Sequence, residues 1–195
     1  MTNGVFSEFD LRKQSIKLKG AEAFLPCNCV GSCEESMNSR VVTKKCRGVT
    51  TKTKIKGDGT GTLKFSMHVP YEQYVTAYGM NLDTLKDGVY AYGQNSIHKE
   101  MSIVQDVYDE DDHRKLKAYP NCIITSGIAR KIENGSETVA ELELEVAVMP
   151  DESGNGMYEA LVSGEEGAKT VAEDIVAKWM TEFTPDLVAK ESAAV

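Results

Sequence analysis

Leu142, Leu144, Val146 and Val148 alternate with Glu141, Glu143 and Glu145. A period of two marks a β-strand with one apolar and one polar face. Upstream, Asn134-Gly135 tolerates positive φ and predicts a turn, so residues 119–149 read as a long two-faced hairpin. A two-residue loop would set Leu142 against Gly127 and Ile128 beside Glu141. An odd loop, Asn134-Gly135-Ser136 between Glu133 and Glu137, pairs Ile128 with Leu142, Ile124 with Val146 and Cys122 with Val148. A one-residue slip moves every side chain to the opposite face, so the odd loop, with a bulge, is the register expected.

The same pattern recurs earlier. Leu63, Phe65, Met67 and Val69 alternate with Thr62, Lys64, Ser66 and His68, and Thr50–Ile55 is rich in β-branched residues. A second hairpin is therefore expected over Arg40–Val69, with its turn at Gly57-Asp58-Gly59. Residues 1–39 read as an N-terminal arm and loop: Lys13–Lys19 alternates weakly, and Phe24-Leu25-Pro26 leads into the cysteine-bearing CNCVGSC. Pro70 and Gly79 bracket a short helix with Tyr71, Tyr74, Val75 and Tyr78 on one face. Lys99–Tyr108 and Lys115–Ala118 predict strands around the charged tip Asp109–Arg114, and Met157–Val162 a short one. Ala168, Val171, Ala172, Ile175, Val176, Trp179, Met180 and Phe183 follow helical spacing. A helix of roughly eighteen residues within Gly164–Phe183, about 27 Å long at 1.5 Å per residue, should start from a Ser163–Glu166 capping box. Glu165 and Glu166 suit its N-terminal dipole, and Pro185 stops it.

These elements predict a single domain over residues 1–195 that is mainly β (α+β): a β-sandwich or open barrel with long hairpins and a flanking α-helix. Residues 189–195 form a flexible C-terminal tail. The net charge of −8 argues against general nucleic-acid binding. Met1–Gly20 is too polar for a signal peptide, no apolar run reaches membrane-spanning length, and five cysteines cannot all pair. Synthesis in a reducing cytoplasm follows, with no membrane partner.

No catalytic constellation rises above background, so the chain is expected not to be an enzyme. Cys27, Cys29 and Cys33, with Cys46 further on, lack CxxC knuckles and nearby histidine, which favours free thiols over zinc. Asp109–Asp112 lacks the glycine and terminal glutamate of a calcium loop. Gly57-x-Gly59-x-Gly61 has no following Gly-Lys-Ser/Thr. Neither metal nor cofactor is expected. One feature stands out from the acidic whole: Arg40–Lys64 carries eight cations against the lone Asp58. The ribbon is a solvated face, a β-ribbon DNA reader lacking interleaved aromatics, or a surface complementary to an acidic patch on an identical subunit. The last reading is preferred and makes Arg47, Lys52, Lys54 and Lys56 inter-subunit contacts.

VTKKCRGV (Val42–Val49), GTGTLK (Gly59–Lys64), LKAYPNC (Leu116–Cys122), RKIENG (Arg130–Gly135), VMPDESGNGMYEAL (Val148–Leu161) and FTPDLV (Phe183–Val188) together resemble the major tail protein, or tail tube protein, of long-tailed phages of Gram-positive bacteria. The resemblance runs from about Phe9 to Val188 and rests on the number and order of these phrases. It implies a tail-tube-like fold and a structural virion protein, made and assembled in the bacterial host cytoplasm. Its subunits form hexameric rings that stack into a hollow tube and meet other tail proteins at the tube ends. DNA passes through the lumen during ejection without specific binding. In that setting Glu141, Glu143 and Glu145 are expected to face the lumen, where carboxylates would repel phosphates; water outside the tube is the alternative. CNCVGSC has no counterpart in the resemblance. The alternatives are a soluble cytoplasmic β-barrel that binds a small ligand, and the tube protein of a phage-tail-like injection device.

Overall fold

The computed structural model describes residues 6–132, 134–135, 137–164 and 167–190. Eight antiparallel strands make one sheet: β1 (Asp10–Leu18), β2 (Leu25–Pro26), β3 (Val30–Cys46), β4 (Val49–Met67), β5 (Glu100–Tyr108), β6 (Arg114–Ile124), β7 (Leu142–Met149) and β8 (Tyr158–Leu161). Their order is β2-β1-β5-β6-β7-β4-β3, and β8 pairs with β6 beside the β6–β7 ladder. Two helices, α1 (Tyr71–Ala77) and α2 (Glu173–Glu182), and a 3-10 turn at Pro185–Val188 complete it. The fold is mainly β, with 44% strand and 12% helix.

The chain steps from β2, at one end of the strand order, to β3, at the other, through Cys27, Asn28 and Cys29 alone. So short a link brings the sheet's two ends side by side, and the sheet rolls into an open barrel. Backbone hydrogen bonds carry the two end ladders on into the link. Cys27 N donates to Gln14 O at 2.8 Å, and His68 N donates to Cys29 O at 2.8 Å. Inside lie Leu63, Phe65, Met67, Met101, Ile103, Tyr119, Cys122, Ile124, Leu144, Val146 and Val148, closed at one end by Tyr74, Val75 and Tyr78 of α1. On the outside, Trp179 and Phe183 of the α2 segment pack on Val104, Leu116 and Ala118. β5 and β6 are thus covered on both faces, which is why their sequences do not alternate cleanly.

Several expectations hold. Ile124 pairs with Val146 and Cys122 with Val148, the odd-loop register. The ladder stops there, so Ile128 and Leu142 pack against the same core without pairing. The cause is local: Thr125 N donates to Glu145 O at 2.8 Å, Ser126 Oγ takes the Glu145 N–H at 3.0 Å, and His98 Nδ1 takes up Ile124 O at 2.7 Å. With those groups satisfied the chain leaves the sheet. Glu133 and Ser136 of the expected loop lie outside the described residues.

Other expectations need correction. Asp10–Leu18 of the supposed arm is a strand with neighbours on both sides, and Val30–Ser39 begins β3. Buried Gln14 and Ser15 give that segment its place in the sheet. Residues 191–195 of the expected tail, and residues 1–5, lie outside the described residues. The second hairpin turns at Arg47-Gly48, where φ of 51° and 80° make a type I′ turn, instead of at Gly57-Asp58-Gly59.

Those glycines serve a different purpose. The β3–β4 register steps from Met37↔Gly61 to Ser39↔Gly57, so β4 bulges by two residues at the foot of the distal ribbon. Gly59, at φ 78°, lies against the 150–156 loop, where a Cβ would come within 2.9 Å of Pro150 Cβ and strike Gly154 O. A Cβ on Gly156 would in turn strike Gly59 O. Two backbones pressed together at glycine fix where the ribbon leaves the barrel.

The last helix is half its expected length. Ala172 is extended at φ −67° and ψ 146°, and helix starts only at Glu173. Gly167 at φ 87° interrupts any helix from Gly164, and Val171 N donates to Leu161 O at 2.8 Å. Ser163 Oγ accepts the Arg114 N–H at 2.8 Å instead of capping the helix. Glu165 and Glu166 lie outside the described residues.

Candidate functional site

Three surfaces gather the charged residues singled out by the sequence. The first is the distal half of the β3–β4 ribbon. β4 pairs with β7 only over Gly61–Met67, and every residue from Ser39 to Gly57 is exposed. At about 3.3 Å per residue, the stretch from Val49 to Gly57 projects roughly 26 Å. Arg47 occupies the turn, while Lys52 faces Lys44, Lys54 faces Val42 and Lys56 faces Arg40. Val41, Val42, Val49 and Ile55 are exposed among them. A long exposed ribbon with bare aliphatic side chains leaves unpaired strand edges and apolar surface in water.

The second is the polar face of β7. Glu143 and Glu145 are exposed while Leu144, Val146 and Val148 are buried, as their alternation predicts. Glu141 differs. It precedes β7, accepts the Ser66 hydroxyl at 2.5 Å, and lies where a Cβ on Gly31 would strike its carboxylate. The three glutamates are therefore not equivalent: two are free in water and one is part of the packing.

The third surface was hidden from sequence reasoning. Lys117 is buried at 4% exposure, where the barrel ends meet. It forms an ion pair with Glu35, lies 3.1 Å from Glu8 Oε1 and 3.8 Å from Glu159 Oε1, and shares Glu8 and Glu159 with Lys115 at 2.6 and 3.2 Å. Tyr119 donates to Glu35 Oε2 at 2.7 Å. Next to them Gln105 Nε2 donates to Gln14 Oε1 at 2.8 Å and to Cys33 Sγ at 3.6 Å. Burial depresses the Lys117 ammonium, but Glu35 and Glu8 outweigh it and leave its pKa above the ordinary value. Burial likewise raises Glu8, and the two lysines outweigh it, so its carboxyl is held low. Leu116 and Ala118 face α2, so Lys115, Lys117 and Tyr119 share the inward face; the signal was the parity of the lysines with Tyr119.

The cysteines are thiols without disulfides. Burial, and then Cys29, pushes Cys27 up to about 11, and burial pushes Cys122 up to about 12, so neither is poised to react. Among the described residues no three His, Cys, Asp or Glu side chains gather as metal ligands, and no helix is long and apolar enough to cross a membrane. At the β5–β6 tip, Asp109 is an internal acceptor for the N–H groups of Asp111 and His113 at 3.0 and 2.8 Å.

No family model matches the sequence, and no curated protein matches it significantly. Among solved structures, the chain is similar to one in the cryo-EM structure of the anti-feeding prophage baseplate, 6-fold symmetrised. The TM-score is 0.44 and the identity 11%, over 84% of this chain and 99% of that one.

Proposed function

We propose that this chain is a structural subunit that self-assembles into hexameric rings stacked as a tube, either the tail tube of a long-tailed phage or that of a phage-tail-like injection device. The observation that carries the reading is the exposed ribbon of residues 39–57, which has no partner strand of its own among the described residues beyond its two halves. It agrees with what the sequence resemblance implies. Arg47, Lys52, Lys54 and Lys56 on that ribbon serve as contacts to a neighbouring copy, and other tail proteins join at the tube ends. DNA crosses the lumen without specific binding. The role is that of a scaffold, with no reaction to catalyse.

The ligand-binding alternative finds no room in the barrel's apolar interior. The barrel's apolar interior leaves a cavity of about 30 Å³, lined by Ile16, Phe65, Met101, Ile103 and Val146 among others. A small-molecule pocket is about 300–1,000 Å³. That interior is filled by its own side chains, and the cleft of about 580 Å³ beside Glu8, Glu35, Gln105 and Lys117 is open and lined by charged and polar groups. Negative-stain microscopy of the concentrated protein tests the reading: rings or tubes are expected, and a uniform field of single barrels at every concentration would overturn it.

A further inference from the structure

The outer face of the β3–β4 ribbon carries opposite charge at its two ends. β3 takes no extra residue at the bulge, so its alternation continues from Glu34 and Ser36 to Arg40, Val42 and Lys44. Lys56, Lys54 and Lys52 stand opposite these three. One face of the projecting half thus holds Arg40, Lys44, Lys52, Lys54 and Lys56 around a single valine. Arg40–Lys56 and Lys44–Lys52 are like charges placed directly across the ladder, which destabilises an isolated ribbon and favours an anionic cover.

At the base of the same face the charge reverses. Glu34, Lys64 and Glu145 stand side by side across β3, β4 and β7, with Ser32, Ser66 and Glu143 in the adjacent row. Glu34, Glu143, Glu145 and Lys64 are all exposed, three carboxylates against one ammonium. Several other acidic groups are already engaged. Glu8, Glu35 and Glu159 hold Lys115 and Lys117, Asp10 and Asp112 hold Arg12, and Asp109 holds His113. The two halves of the face cannot meet within one chain, since Lys54 and Lys64 stand opposite Val42 and Glu34 of the unbulged β3, about 26 Å apart at 3.3 Å per residue.

We propose that the cationic face of one copy's ribbon docks on the Glu34–Glu143–Glu145 row of a second copy. The proposal rests on the tube reading for the assembly it serves, and it names the partner of the ribbon. It also gives Glu143 and Glu145 a contact between copies in place of a position in the lumen. A two-stranded face meets a three-stranded face, and the charges of both are relieved together.

Two full-length variants test it, Lys52→Glu/Lys54→Glu and Glu143→Lys/Glu145→Lys, by sedimentation at low salt. All four positions are exposed, so both variants should keep the wild-type circular dichroism spectrum. Alone, each sets like charge against like and should lose the high-mass species that the wild type forms. Mixed in equal amounts they restore opposite charges across the contact, and the high-mass species should return as a copolymer. If the glutamate variant alone assembles as the wild type does, the docking is wrong and the tube reading stands, with the row elsewhere in the tube. A mixture that sediments no faster than its components overturns the docking as well. If the wild type forms neither rings nor tubes yet the mixture pairs, the docking holds and the tube reading fails.

Discussion

Lys117→Met should cost the fold about 3–5 kcal/mol, the usual result of deleting one partner from a buried ion pair. The variant leaves Glu35, Glu8 and Glu159 facing one another at the barrel seam with only Lys115 between them. Urea denaturation at neutral pH measures the loss, and a change below about 1 kcal/mol would mean that water already compensates the cluster. Adding Glu35→Gln should recover part of the loss, because the coupling between touching groups runs to about 0.5–3 kcal/mol. The pH dependence follows from the shifts. The folded-state pKa of Lys117 is raised above its ordinary 10.5, so its contribution is complete below that value and disappears as alkali passes the higher folded pKa. Glu8 is lowered from 4.5, so its contribution is complete above that value and disappears as acid passes the lower folded pKa. Wild-type stability should therefore fall at both extremes, and Lys117→Met should shrink the alkaline arm, to which the buried Cys27 and Cys122 thiols still contribute.

Trp179→Ala is expected to cost about 3–5 kcal/mol, the range for emptying a large core position. Trp179 is 1% exposed, packs on Phe183 with ring centroids 4.7 Å apart, and donates Nε1–H to Lys117 O at 3.1 Å. A ten-residue α2 is too short to hold helix alone, so without this anchor it should leave the sheet and expose Val104, Leu116 and Ala118. Thermal melting and binding of an apolar dye report both effects. An unchanged melting temperature would show that Phe183 and Ile175 suffice. Trp179 is the chain's one tryptophan, so the wild-type emission should be blue-shifted when folded and move to the red on unfolding.

How far the sequence could be read depended on how local the deciding contact was. The pairing of Ile124 with Val146 was legible because alternation and a turn leave two registers, of which one hides glutamates in the core. The ribbon turn was not. Gly57-Asp58-Gly59 is the stronger turn signal, and its conformational freedom serves an approach to Gly154 and Gly156 a hundred residues away. The apolar spacing of Ala168–Phe183 suits a helix throughout, yet Val171 hydrogen-bonds Leu161 and Gly167 takes a left-handed φ. Lys117 was not singled out, because nothing near it in sequence says that α2 covers the opposite side of β6. Of the candidate surfaces, the cationic ribbon and the two exposed glutamates were visible as pattern. Their placement on one face of one ribbon required the register.

The three-residue link from β2 to β3 has a kinetic consequence. β1 must wait for β5, some ninety residues later, before it gains its main neighbour, whereas β3 and β4 meet across a two-residue turn. Local hairpins form in about 1–10 μs, while long-range pairings pay for large loops first. On a growing chain the ribbon is thus complete while the barrel is still unmade. Glu143 and Glu145 join it only when β7 reaches β4, well after the ribbon itself is made. An unfinished subunit therefore offers a ribbon but no finished row on which to receive one. Pulse-labelled hydrogen exchange during refolding should protect the β3–β4 amides before those of β1, and the reverse order would remove this safeguard against premature polymer growth.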